Sequence, residues 1–151
     1  LEFDMARKIL WNFATRPIAQ TGNWSVKSIL PAFAKITRYW DVQFVQVQRG
    51  QHFQILLTNE QGSPMWQRGN RIFAQSSYTW INQSQMVLAI VHEFGHWLVK
   101  GGGHMEQPGH VMSEVLGDPH LNFTQQDMRW FGGLPWKSSL RPWHEPSFWR
   151  T

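Results

Sequence analysis

His92-Glu93-Phe94-Gly95-His96 is the stretch on which the reading of this chain turns. Two histidines four apart on a helix share one face, with Cβ atoms about 5–6 Å apart. Both imidazoles can then reach a single ion at about 2.0–2.1 Å, the usual zinc–nitrogen distance. Glu93 follows the first histidine, so its carboxylate can point to the side where water sits. A metal acidifies that water, and Glu93 can accept its proton. The pattern lies on the strongest helical signal in the chain. Asn82 or Ser84 can cap it, and Met86, Val87, Ile90, Val91, Phe94, Trp97 and Leu98 form a side to be buried. The helix is expected to end at Lys100, before Gly101-Gly102-Gly103. Gly95 in its middle costs roughly 1 kcal/mol against alanine. Beside two candidate ligands, that cost points to another backbone passing close by, or to a bulky aromatic packed over it.

A catalytic zinc usually takes three protein ligands and keeps a position open. The chain has no cysteine, so the third ligand is His, Asp or Glu, and neither a thiolate nucleophile nor a disulfide framework is available. His104 follows the glycines, which let the chain reverse and bring an imidazole under the ion. His110 and His120 compete for that role, while His52 and His144 lie far away in sequence and read as surface or packing residues.

Outward from the motif, elements alternate. Residues 8–14 read as a strand, with Ile9, Trp11 and Phe13 on one side. Ile29, Phe33, Ile36 and Trp40 recur at helical spacing over 28–40, with Ser28 as N-cap and Pro31 tolerable only in the first turn. Residues 42–47 and 53–57 read as strands about Gly50, 60–70 as a loop with Gly62, Pro64 and Gly69, and 71–76 and 78–81 as short strands. After a looped region, Thr124-Gln125-Gln126-Asp127 resembles a capping box with Asp in the Glu position, opening a short helix to about Phe131 that Gly132-Gly133 stops.

The 151 residues suit one compact domain, 1–133, with an extended Pro- and Trp-rich tail, 134–151. Net charge is +4, but Lys and Arg are scattered singly, which disfavours a nucleic-acid partner. The longest apolar run, Met86 to Val91, is far too short to span a bilayer, so no membrane partner is expected. Ten tryptophans imply an aromatic core, or rings that meet a partner. The missing cysteines leave the compartment open; a secreted or virion-associated setting is favoured over a cytoplasmic one.

From His92 to Met112 the chain resembles the metzincin clan of zinc peptidases, and within it the matrixins, whose pattern is H-E-x-x-H-x-x-G-x-x-H followed by a methionine turn. The third histidine comes two residues late and Val99 stands where the family has Gly, a departure that two extra residues in the glycine turn repair. Pro108-Gly109-His110-Val111-Met112 resembles the methionine turn, at the family's spacing from His104, which selects His104 over His110. The resemblance implies Met112 as the apolar floor under the ligands. It also implies an α+β fold of zincin type: a twisted, mostly parallel sheet on two main helices, and a small C-terminal subdomain with a short last helix. The loop 60–70 has no His or Asp, so neither the structural zinc nor the calcium of matrix metalloproteinases is expected. Ser113-Glu114 replaces the family's Tyr-Pro where the specificity pocket is walled, with residues 113–123 expected to form that wall.

The implied function is a zinc endopeptidase with one catalytic Zn2+ on His92, His96 and His104 and with Glu93 as general base. The substrate is a polypeptide pairing with an exposed sheet edge near Arg71 to Ser76. The alternative is a structural or interaction module, such as a component of a virus particle, that keeps the fold and possibly the zinc. Trp136, Trp143 and Trp149 in the tail would then meet a protein partner.

Overall fold

The computed structural model describes residues 7–14, 19–100, 103–114, 123–132 and 134–135. Its strands and helices follow in the order β1 (Arg7–Ala14), α1 (Ile29–Thr37), β2 (Val42–Gln46), β3 (Phe53–Thr58), β4 (Met65–Arg68), β5 (Arg71–Gln75), α2 (Gln83–Val99) and α3 (Gln125–Trp130). The five strands form one sheet in the order β2-β1-β3-β5-β4. β1 pairs in parallel with β2 and β3, β3 in parallel with β5, and β4 runs antiparallel to β5. The fold is thus mixed α/β around a mostly parallel sheet.

Alternation along the strands decides which face is covered. Ile9 and Trp11 on β1, Phe53 and Ile55 on β3, and Ile72 and Ala74 on β5 are all buried. Both long helices lie on this face. Phe33 of α1 stacks on Phe44 at 3.9 Å and meets Trp11 edge-on at 5.0 Å. Phe94 and Trp97 of α2 meet Phe53 at 5.8 and 5.1 Å. Ring pairs of this kind add about 0.5–1.5 kcal/mol each beyond their buried area. Five of the seven described tryptophans (Trp11, Trp24, Trp40, Trp80 and Trp97) are buried, so the core takes up most of the aromatic excess there. The tail tryptophans lie outside the described residues, as do His120 and His144. Leu134, where the tail was expected to begin, is buried, and its N–H donates to the Phe131 carbonyl.

Several local expectations change. α1 ends at Thr37, and Trp40 follows as a fully buried residue outside the helix. Ser28 is not the effective cap: its hydroxyl donates to the Ser25 carbonyl, and Ser25 caps the short 3-10 turn that leads into α1. Asn82, not Ser84, caps α2, its side chain accepting the Gln85 N–H at 3.0 Å. Residues 78–81 form no strand. Asn23 instead binds both the N–H and the carbonyl of Trp80, at 2.6 and 2.8 Å. The loop expected over 60–70 contains β4. β5 lies between β3 and β4, so among the described residues the sheet edge beside α2 is β4, not residues 71–76.

Candidate metal centre

α2 carries His92, Glu93 and His96 on a buried stretch, each less than a tenth exposed. The helix ends at Lys100, which adopts a left-handed conformation (φ 57°) and donates its N–H to the carbonyls of His96 and Trp97. Gly103 then takes φ 102°, open to glycine and strained for other residues, and delivers His104 back toward the helix. The three imidazoles converge. His96 Nε2 lies 3.1 Å from His92 Nε2 and 3.1 Å from His104 Nε2. Two nitrogens bound to one ion at tetrahedral angles sit roughly 3.3 Å apart, given zinc–nitrogen bonds near 2.0–2.1 Å. The spacing is therefore close to that of a shared cation.

The protonation pattern agrees with that fit. His92 Nδ1 is 2.6 Å from the Val111 carbonyl, which can only accept, so Nδ1 bears the hydrogen and Nε2 presents a lone pair to the cluster. Burial, reinforced by His96 and His104, pushes His92 down to about 4, although the bond to Val111 opposes the shift. The ring is thus neutral at pH 7, the state that binds a metal. Three nitrogens this close cannot all be satisfied by sharing hydrogens, because His96 Nε2 has two such neighbours and at most one hydrogen. The group His92, His96 and His104 could hold a metal ion.

Glu93 sits beside this cluster. Burial pushes its carboxyl up to about 8. Its Oε2 atom is buried and has no hydrogen-bond partner among the described residues. A buried, unsatisfied carboxyl oxygen is costly on stability grounds alone. A cation held by the three imidazoles would supply the opposite charge that it lacks. Compared with known proteins, the chain matches no protein-family model, and a comparison with curated proteins likewise returns no match. Geometry and chemistry therefore carry the functional reading.

The segment that presents His104 is held by a different set of forces. Met105 and Ser113 form a parallel bridge, and the Met105 N–H donates to the Met112 carbonyl at 2.9 Å. Asp127 is fully buried at the start of α3. Its carboxylate accepts the Val111 N–H at 2.8 Å, the Met112 N–H at 3.0 Å and the Thr124 N–H at 3.0 Å. One side chain thereby caps α3 and pins the turn whose Val111 carbonyl holds His92. The capping box was legible as Thr124 to Asp127. Its second duty was not, because the partners lie 15 and 16 residues upstream. An Asp in place of the longer Glu is the one local hint.

Met112 is fully buried against Gly95. A Cβ on Gly95 would stand 2.9 Å from the Met112 methyl, with Phe131 3.4 Å away. The mid-helix glycine thus makes room chiefly for a methionine side chain, with an aromatic ring beside it, and not for a passing backbone. Trp130 adds a bond missed in the sequence, donating its indole N–H to the Gly95 carbonyl at 3.0 Å. His110 turns away from the cluster, its Nδ1 lying 2.7 Å from the Thr124 hydroxyl. His52 is on the sheet, accepting the Leu10 N–H at 3.0 Å. In front of the imidazoles lies a cavity of about 740 Å³, walled by β4, Tyr78, Trp80 and the first half of α2, with Glu114 also lining it. Residues 115–122, expected in the pocket wall, lie outside the described residues.

Proposed function

We propose that the protein is a zinc-dependent endopeptidase of metzincin type, with His92, His96 and His104 as the ligands and Glu93 as general base. The observation that supports it best is the convergence of three imidazole Nε2 atoms beside a buried carboxyl oxygen with no other partner. Three imidazole nitrogen donors in a near-tetrahedral spacing suit zinc better than calcium or magnesium, which prefer oxygen. Zinc, when bound, supplies a Lewis acid that polarises a carbonyl and acidifies water.

The chain's own residues supply the rest. Glu93 takes the proton of the attacking water and returns it to the departing amine. Its buried position keeps bulk water from competing for that proton. The Val111 carbonyl fixes the His92 ring so that Nε2 faces the cluster. Met112 fills the floor under the ligands. β4, the free edge next to the cavity, offers unpaired backbone groups to an extended peptide, which would add as a further strand.

The test is Glu93→Ala on zinc-loaded protein with an unstructured polypeptide as substrate. Hydrolysis should be chelator-sensitive in the parent and fall by at least about a hundredfold in the variant, with zinc content unchanged. Equal turnover in the two would remove Glu93 as base. A parent that holds zinc and cleaves nothing would favour the interaction-module alternative.

A further inference from the structure

Among the described residues, the cleft carries one carboxyl group that the proposed reaction leaves unused. Glu114 lies two residues past Met112, where the resemblance to matrixins breaks off, and it lines the same cavity as His96 and His104. Its backbone is well anchored. The neighbouring Ser113 is buried, its hydroxyl donating to the Gln107 carbonyl at 2.7 Å and accepting the His110 N–H at 3.0 Å. The Glu114 N–H donates to the Met105 carbonyl at 3.3 Å. The residue itself is exposed and forms no ion pair with a described residue. The chain carries 14 Lys and Arg against 10 Asp and Glu, yet none of the described residues lining the cavity is lysine or arginine.

We propose that Glu114 is a specificity-determining residue, selecting peptides with a lysine or arginine side chain next to the bond presented to the three imidazoles. This rests on the cleft being a peptide site, as proposed above. A carboxylate on a wall without lysine or arginine attracts a cationic side chain at close range. Arginine can meet it with two parallel N–H donors. The protein's overall charge works against the same outcome: at +4 its long-range field repels a basic peptide. A preference for lysine or arginine must therefore come from a local group in the cleft.

Two measurements test this with the full chain loaded with zinc. The first is digestion of a mixed peptide library by the parent, Glu114→Gln and Glu114→Lys, with products sequenced by mass spectrometry. Parent cleavage sites should be enriched in Lys and Arg at one position flanking the cut. An exposed pair supports an enrichment of about threefold, shrinking in 0.5 M salt. Glu114→Gln should abolish it, and Glu114→Lys should turn it toward Asp and Glu at the same position. Identical profiles in all three proteins would overturn the proposal while leaving the peptidase reading intact. The second is binding of decapeptides, equal except for Lys, Gln or Glu at their central positions, to Glu93→Gln protein with and without Glu114→Gln. A lysine preference that depends on Glu114, with no cleavage in the first experiment, would support Glu114 and sink the hydrolase. No binding by any peptide would overturn both.

Discussion

The two halves of the candidate metal centre are built differently. His92, Glu93 and His96 ride on a 17-residue helix pressed against an aromatic sheet face. His104 rides on a turn whose neighbour, the Met112 turn, is held by backbone bonds and one buried carboxylate. The first half is fixed by area removed from water, spread over many side chains and tolerant of single losses. The second is fixed by a few directional bonds, where losing one partner strands several buried donors. A site that joins the two should fail first at its polar half.

The sharpest break is at the third ligand. His104→Ala should weaken zinc binding by at least about a hundredfold, more than the loss typical of a supporting partner. His110→Ala should change it little, as His110 faces Thr124. Competition with a chromophoric chelator measures both, and the reverse order would move the ligand assignment to His110. Asp127→Ala comes next. It leaves two buried N–H groups and one part-buried one without their acceptor, at a cost of about 3 kcal/mol or more. Zinc affinity should fall with it, because the Val111 carbonyl loses its anchor. Denaturant titration beside the chelator assay would show whether the turn loosens before the sheet; an unchanged zinc affinity would mean that His104 is held some other way.

Acidity sharpens the comparison from the helical half. In metal-free protein Glu93 keeps its proton up to about pH 8, whereas an unburied carboxyl releases it near 4.5. The folded state then binds the extra proton, so stability falls as pH rises across that window. His92 acts oppositely between about 4 and 6.5, where the unfolded chain is the more protonated and stability rises with pH. The two offset each other up to 6.5, and Glu93 alone acts above it. Metal-free protein should lose up to about 2 kcal/mol between pH 6.5 and 8, and Glu93→Gln should flatten the slope. A flat profile in the parent would mean that the carboxyl is better solvated than its burial implies. The smallest effect is at the junction of the halves. Lys100→Gly relieves a left-handed lysine but loses its ammonium over the Trp97 ring at 4.5 Å. A net gain of about 0.5 kcal/mol is expected from thermal unfolding.

The same division explains what could be read in advance. β1 and β2 were visible from alternation, in residues such as Ile9, Trp11 and Val42, whereas β3, β5 and α2 stood out as apolar segments that are buried on more than one side, over residues 55–58, 72–75 and 88–97. β4 was missed because Met65 is its one fully buried side chain, so four residues carry hardly any alternation. The Gly69-Asn70 pair, with Gly69 at φ 59°, was read as part of a longer loop and is instead the tight turn between β4 and β5. The convergence of His92 and His96 followed from spacing alone. His104 needed the resemblance, and Asp127 was out of reach as a support, since its partners are neighbours only after the turn has folded.

Asp127 also sets an order of events during synthesis. All three imidazoles leave the ribosome before it, as does the turn that it pins. A nascent chain halted short of residue 127 would hold all three imidazoles of the cluster and still lack the bonds to Val111 and Met112 that support their arrangement. Any capture of a metal ion in this geometry is thus deferred until almost all of the described residues have been made.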